Sequence, residues 1–354
     1  MKIGLATSGL WKLRKAVEAM IGAKACRLWP LRPDVEAIAG WGHKPSADRA
    51  RKIAKSRGIP YIAFEDGFLR SVFPGNSEKP LSLVMDRTGI YYDARQPSDL
   101  EAHIRRRASS RLPVGEIRAA MKLLREKRLS KYNNSTIQDV TELGLRSTQP
   151  EDRVLVIDQT AGDASIEGAM AGEETFVTML EAAVVENPGA EILLRIHPET
   201  MLGRKEGHFS EKRLFELAKL QPDVSRANEA GLLRLTPEPV NPWALLEACA
   251  KVYCVSSQLG FEGLMAEREV HCFGMPYYGG WGLTEDRLAF RTPRRHEISL
   301  EALFAGLYFD YSHYVDHEGL FFDQAEAAHM LARKRNYYFK TGEEILSSGS
   351  IGLG

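Results

Sequence analysis

Residues 153–165 read Arg-Val-Leu-Val-Ile-Asp-Gln-Thr-Ala-Gly-Asp-Ala-Ser. Arg153–Ile157 is a short, β-branched apolar run, and a polar loop with a glycine follows it at once. A run of this length, bounded by turn residues, predicts a strand buried on both faces, as in a parallel sheet. The same rhythm continues downstream. Strands are predicted over 191–196, 231–235, 251–255 and 269–273, alternating with helices over 173–186, 209–220, 243–250 and 260–267. Strands that alternate with helices specify a parallel sheet covered on both sides.

Upstream the pattern is similar. Strands are predicted over 2–7, 37–42 and 61–64, with two more over 81–85 and 90–92 around a turn at 86–89. Helices are predicted over 9–21 and 46–57, the second with Ser46 as N-cap behind Pro45, and basic amphipathic helices over 98–107 and 114–128. Residues 131–152 are polar and read as a linker. The fold class expected is therefore α/β: two Rossmann-like lobes with an interlobe cleft and a C-terminal helical segment. The lobes are drawn at 1–150 and 151–310, with 311–354 as the aromatic, helical tail. In such a fold the ligand lies at the carboxyl ends of the strands.

Composition agrees with a globular chain. The 354 residues suit about two domains. Lys+Arg and Asp+Glu both count 47, so the net charge is zero, which argues against a nucleic-acid binder that works through bulk charge. The four cysteines form no CxxC pair, which argues against a zinc or disulfide framework. No apolar window is long enough to span a membrane, so the expected location is the cytoplasm.

Polar residues gather just after the predicted strands. Glu65-Asp66-Gly67 suits a turn, and equally an acid/base pair at a strand end. Asp158 sits directly at the next strand end, where a structural hydrogen bond is expected. Asp163, past the flexible Gly162, suits either a helix cap or a carboxylate nucleophile. His197 precedes Pro198, which forces it into extended backbone and can aim its ring at the cleft. Ser256 and Ser257, with Gln258 and Gly260, open a helix and suit an anion site at its N-terminus. Glu262, on the first turns of that helix, can reach a ribose. Tyr278 and Trp281, in a Gly-rich loop, suit stacking on a sugar, or simple packing. GxxxxGK[ST], GxGxxG and DxD are all missing, which weighs against dinucleotide and metal-dependent chemistry.

These motifs, in this order, resemble the capsular polysaccharide β-Kdo transferases of the KpsC/LipA type. The resemblance is carried by WGHKPSADRARKIAK (41–55), FEDGFLRS (64–71), PLSLVMDRTGIYYDARQPSDLE (80–101) and LSKYN (129–133). VIDQTAGDAS (156–165), RIHPE (195–199), SSQLGFEGLMA (256–266) and PYYGGWGLTEDR (276–287) complete the series. The match covers nearly the whole chain, as a single module similar to the N-terminal one of the family, which is associated with a 2,4 linkage.

The resemblance implies a GT-B architecture, CMP-Kdo as donor, retention of configuration, and no metal or other cofactor. It implies a Kdo-bearing lyso-phosphatidylglycerol acceptor at the inner membrane surface, with capsule assembly proteins as partners. It makes Asp163 the catalytic carboxylate. His197, Pro198, Ser256, Ser257, Gln258 and Glu262 fall to the CMP side. Glu65 or Asp66 is then the acid/base group, and Arg70, Gln159, Tyr278 and Trp281 are sugar or acceptor contacts. A basic face, comprising Arg105, Arg106, Arg107 and Arg111 and then Lys122, Arg125, Lys127, Arg128 and Lys131, is expected to meet an anionic surface. The acidic pair, His-Pro and Ser-Ser trio is also similar to bacterial sialyltransferases. A non-catalytic sugar-binding module is the third reading.

Overall fold

The computed structural model describes residues 2–29, 34–43, 45–75, 78–147, 149–201, 203–289 and 292–347; the side chains at 45, 46, 198 and 340–347 are outside that description, and with them the expected Ser46 cap.

The first lobe is built on β1 (Lys2–Leu5), β2 (Lys24–Arg27), β3 (Ala37–Trp41), β4 (Tyr61–Asp66) and β5 (Ser82–Asp86). The second is built on β6 (Arg153–Ile157), β7 (Glu191–Arg195), β8 (Leu233–Thr236), β9 (Lys251–Cys254), β10 (Glu269–Cys272) and β11 (Glu285–Asp286). A last strand, β12 (Ser312–Tyr314), returns to the first sheet and pairs antiparallel with β5. The sheet orders are β12-β5-β4-β3-β1-β2 and β11-β10-β9-β6-β7-β8. The second sheet is parallel throughout, and β6 at its centre is buried at every position. A strand covered on both faces needs such an unbroken apolar run, which is why 153–157 lacks polar alternation.

Several expectations change. Ile90–Tyr92 is a turn, not a strand. Asp86 accepts from the backbone of Thr88 (2.9 Å) and Gly89 (2.6 Å), so the chain folds away from the sheet. Tyr91 is instead held among aromatic rings, with Phe68 at 5.1 Å and Tyr277 at 5.6 Å. The helix expected over 9–21 is two helices, Ser8–Lys12 and Arg14–Ile21, joined at Leu13. β2 and the helix Pro222–Glu229 were not foreseen.

The polar segment after residue 130 is no free linker. Tyr132 bridges to Ser71 and Ile137 to Val240. Buried Asn133 donates to the carbonyls of Ser71 (3.1 Å) and Ser130 (2.8 Å). The start of the segment is stitched to both lobes through buried hydrogen bonds, while Gln138, Asp139, Glu142 and Arg146 further along are exposed.

One apolar core runs through both lobes, from Leu100 and Ile104 to Trp243, Leu155 and Tyr308, and on to Leu331 of the C-terminal segment. Polar contacts reinforce it. Glu101 of the first lobe receives Arg294 Nε (2.7 Å) and Arg295 Nε (2.9 Å) from the second. The Ala94 N–H donates to the Gly168 carbonyl (2.9 Å). A Cβ on Gly168 would meet the Tyr92 carbonyl oxygen at 2.2 Å, so glycine lets the lobes touch there.

Candidate functional site

A cleft of about 520 Å³ opens between the lobes where the strands of both sheets end. The second lobe supplies one wall. β6 ends at Ile157, and Asp158 turns inward as expected. Its carboxylate accepts from the backbone of Gln159 (2.8 Å), His208 (2.9 Å) and Phe209 (3.4 Å), tying the loop after β6 to the 205–209 loop. Burial raises its pKa to about 6, against the pull of these three donors.

The loop then passes Gly162, at φ +74°, and delivers Asp163 to the cleft. Asp163 is exposed and caps the short helix Ala164–Gly168, its Oδ1 accepting from the Ser165 N–H (2.8 Å). The cap holds the carboxylate through Oδ1, and Oδ2 has no hydrogen bond among the described residues. Gln159 lines the same wall and fixes Ser256. Its Oε1 accepts from the Ser256 N–H (2.9 Å) and its Nε2 donates to Ser256 Oγ (3.0 Å).

Ser257 caps the helix Gln258–Met265, accepting from the Leu259 N–H (3.3 Å). Both serines line the cleft. So does His197, beyond the end of β7. Burial, and next the nearby Arg195, hold its pKa down to about 4, so the ring is neutral at pH 7. Nδ1 accepts from the Glu199 N–H (3.1 Å), which leaves Nε2–H as the donor available to a ligand. Pro198 opens the helix Pro198–Met201.

Arg195 was not singled out from the sequence. It lines the cleft, and its guanidinium makes no hydrogen bond or ion pair among the described residues. Burial lowers its pKa to about 10, with Glu262 opposing, and it keeps its charge at pH 7. A strand-end arginine beside a flagged histidine was the available signal.

The first lobe supplies the other wall. β4 extends two residues further than expected, so Glu65 and Asp66 are its last strand residues, paired with Val84 and Leu83 of β5. Both line the cleft. Asp66 Oδ2 receives Arg70 Nε at 2.7 Å, while Oδ1 is buried without a hydrogen-bond partner. Lys131, Tyr91 and Tyr132 complete this wall. The sequence reading had put Lys131 on the outer basic face; it points into the cleft instead.

Among the described side chains, four expected contacts do not line the cleft. Arg70 is buried and braces Asp66, Ser71 Oγ (2.8 Å) and the Gly75 carbonyl (2.7 Å). Glu262 is 1% exposed, receives Ser130 Oγ (2.7 Å) and Gln258 Nε2 (3.0 Å), and is pushed to about 7 by burial. Tyr278 donates from below to the Ser257 carbonyl (2.5 Å), and Trp281 to the Tyr277 carbonyl (3.0 Å). For these two the packing alternative describes the structure. Tyr277, one residue earlier, is the aromatic that reaches the cleft. Gln258 lines it, but its amide also donates across the lobes to the Phe68 carbonyl (3.0 Å).

The basic face is paired in part. Arg106 and Arg107 share Asp310, Lys122 pairs with Glu126, and Arg125 and Arg128 share Glu247. No described helix is long and apolar enough to cross a membrane.

Two Rossmann-like lobes facing a polar cleft, with carboxylates on both walls, define an α/β protein of the GT-B type. The chain belongs to the capsule polysaccharide biosynthesis protein family, whose pattern matches residues 36–314. It is 37% identical over 289 residues to the capsule polysaccharide modification protein LipA of Neisseria meningitidis serogroup A, covering 79% of this chain and 38% of LipA. It is 38% identical over 276 residues to the lipopolysaccharide-processing protein LpsZ of Rhizobium meliloti, covering 75% of this chain and 57% of LpsZ. The chain thus spans about two fifths of LipA's length. A solved structure titled Thermosulfurimonas dismutans KpsC, beta Kdo 2,4 transferase, superposes with a TM-score of 0.80 at 36% identity, covering 94% of this chain and 98% of that one.

Proposed function

We propose that this cleft is the active site of a retaining β-Kdo transferase that takes Kdo from CMP-Kdo and adds it to a Kdo-terminated glycolipid. The observation that carries the reading is the meeting, in one cleft, of Asp163 from one lobe, Glu65 and Asp66 from the other, and a group of Ser256, Ser257, His197 and Arg195 whose donors and charge suit an anion. The 36% identity to a β-Kdo 2,4 transferase supports the choice of sugar and favours that linkage.

The proposed chemistry uses two displacements. The Asp163 carboxylate attacks the anomeric carbon, and the bond to the CMP phosphate breaks. Neutral His197 Nε2–H, the serine hydroxyls and the Arg195 cation stabilise the charge that grows on the phosphate. Glu65 then takes the proton of the acceptor hydroxyl, whose oxygen displaces Asp163 and restores the β configuration. Glu65 is assigned this role, with Asp66, whose Oδ2 is paired with Arg70, as the alternative. A monophosphate leaving group does not call for a metal.

The acceptor proposed is a Kdo-bearing lyso-phosphatidylglycerol at the cytoplasmic face of the inner membrane, in contact with capsule assembly proteins. The lipid argues for a peripheral membrane location more strongly than the partly paired basic face does. NMR of the product from CMP-Kdo and a synthetic Kdo-terminated acceptor tests the reading: a β-linked Kdo disaccharide is expected. Transfer from CMP-sialic acid instead would favour the sialyltransferase-like alternative, and binding without donor hydrolysis or transfer the non-catalytic one.

A further inference from the structure

The charges that line the cleft do not cancel in pairs. Lys205 is taken by Glu199 at 2.9 Å, Asp66 is taken by Arg70 at 2.7 Å, and His197 is neutral. Two lining cations remain with no hydrogen bond or ion pair among the described residues, Arg195 and Lys131. They stand on opposite walls. Arg195 ends β7 on the second lobe, beside His197. Lys131 belongs to the first-lobe wall. Its own carbonyl accepts from the N–H groups of Arg70 (3.2 Å) and Ser71 (3.3 Å), so its backbone is fixed to the turn that braces Asp66.

The one recorded side-chain contact of the Lys131 ammonium is with the Tyr132 ring, whose centroid is 6.0 Å from Nζ; an ammonium withdrawn from water with a ring beside it and no carboxylate at ion-pair distance among the described residues is placed to receive an anion. Burial alone would lower the Lys131 pKa. The oxygens around it, of Tyr91 and Tyr132 first and then of Asp66 and Glu65, outweigh that and keep it charged. The same neighbourhood includes Asp163, since Tyr91 feels Lys131, Glu65, Asp163 and Asp66 together. Lys131 lines the cleft on the wall that carries Glu65 and Asp66, across from the wall that carries Asp163 and the proposed phosphate end.

We propose that Lys131 receives the carboxylate that the donor sugar carries on its reacting carbon, and that this contact selects ulosonic-acid donors over sugars without that group. The assignment rests on the donor reading above. A nucleotide-activated ulosonic acid carries two anionic groups, phosphate and carboxylate, and two unpaired cations await them. Lysine suits the second: it is a compact charge that can follow the carboxylate as the reacting carbon flattens.

The test is calorimetric titration with CMP and with fresh CMP-Kdo, acceptor omitted, of the wild type at position 131, Lys131→Met and Lys131→Arg, all three carrying Asp163→Ala so that the donor is bound without being consumed. Lys131→Met is expected to hold CMP within about twofold of wild type and to bind CMP-Kdo at least about tenfold more weakly, with Lys131→Arg recovering most of the loss. Equal losses for both ligands, or none for either, would overturn the assignment while leaving the donor reading intact. A wild type that binds CMP but not CMP-Kdo would bring down the donor reading and the Lys131 assignment together. The ratio of the two affinities separates a contact from a folding defect, because misfolded protein loses both ligands alike.

Discussion

The two walls of the cleft are made differently. The second-lobe wall follows a parallel sheet: Asp158, His197 and Ser256 each stand one or two residues past the end of a buried strand. The first-lobe wall has one such element, the end of β4. The rest comes from irregular chain, the turn at Tyr91 and the crossing at Lys131 and Tyr132. In a regular sheet the positions that can reach a ligand follow from strand periodicity. In irregular chain they depend on tertiary contacts, such as the Ser71–Tyr132 bridge. The proposed division of labour follows the same line. The sheet-built wall holds the nucleotide and the nucleophile, and the loop-built wall handles the sugar and the acceptor.

The largest effect expected to sharpen this contrast is at Asp163. Asp163→Ala should lower transfer by about 10³-fold or more while CMP affinity stays within about twofold, because the group acts on the transition state rather than on the bound nucleotide. Initial rates alongside CMP titrations check it. On the opposite wall, Glu65→Gln should cost about 10²-fold in kcat, as expected for loss of a general base. Asp66→Asn should cost less in rate and more in thermal stability, since it breaks the pair with buried Arg70. A larger rate loss at Asp66 would exchange their roles.

Next in size are the anion-binding groups. His197→Ala, and Ser256/Ser257→Ala together, should weaken CMP about tenfold in folded protein. Because His197 is held near pKa 4, its ring signals in an NMR titration should not move between pH 5.5 and 8.

The smallest effect lies behind the wall. Glu262 has a folded pKa of about 7 against an ordinary value of 4.5. Between those values the folded state binds the extra proton, so the contribution of Glu262 to stability falls as pH rises through that window. Glu262→Gln should flatten the Tm profile between about pH 5 and 7 and lie above wild type at pH 8, as measured by thermal denaturation.

Much of the second lobe was legible because its strands are continuous apolar runs ending in polar residues. Asp158, Asp163, His197 and the serine pair could be marked from that pattern alone. The sequence could not distinguish Tyr277 from Tyr278. Neighbours in a turn face different ways, and only packing decides which meets the cleft. β2, with the sequence Lys-Ala-Cys-Arg, is a short edge strand with both ends exposed and carries no run to detect. Lys131 was hidden by its company: among nine basic residues along two helices and the turn after them, nothing local says that one turns inward. The tyrosines at 91 and 92 imitate a strand because aromatic packing and sheet burial select the same residues.

The central claim is that Asp163 forms the bond to the sugar. Intact-protein mass spectrometry after mixing with CMP-Kdo, acceptor withheld, followed by peptide mapping, tests it most directly. A mass increase of one Kdo residue mapping to Asp163, and absent from Asp163→Ala, is the expected result. An adduct mapping to Glu65 or Asp66, or undiminished transfer by Asp163→Ala, would contradict it.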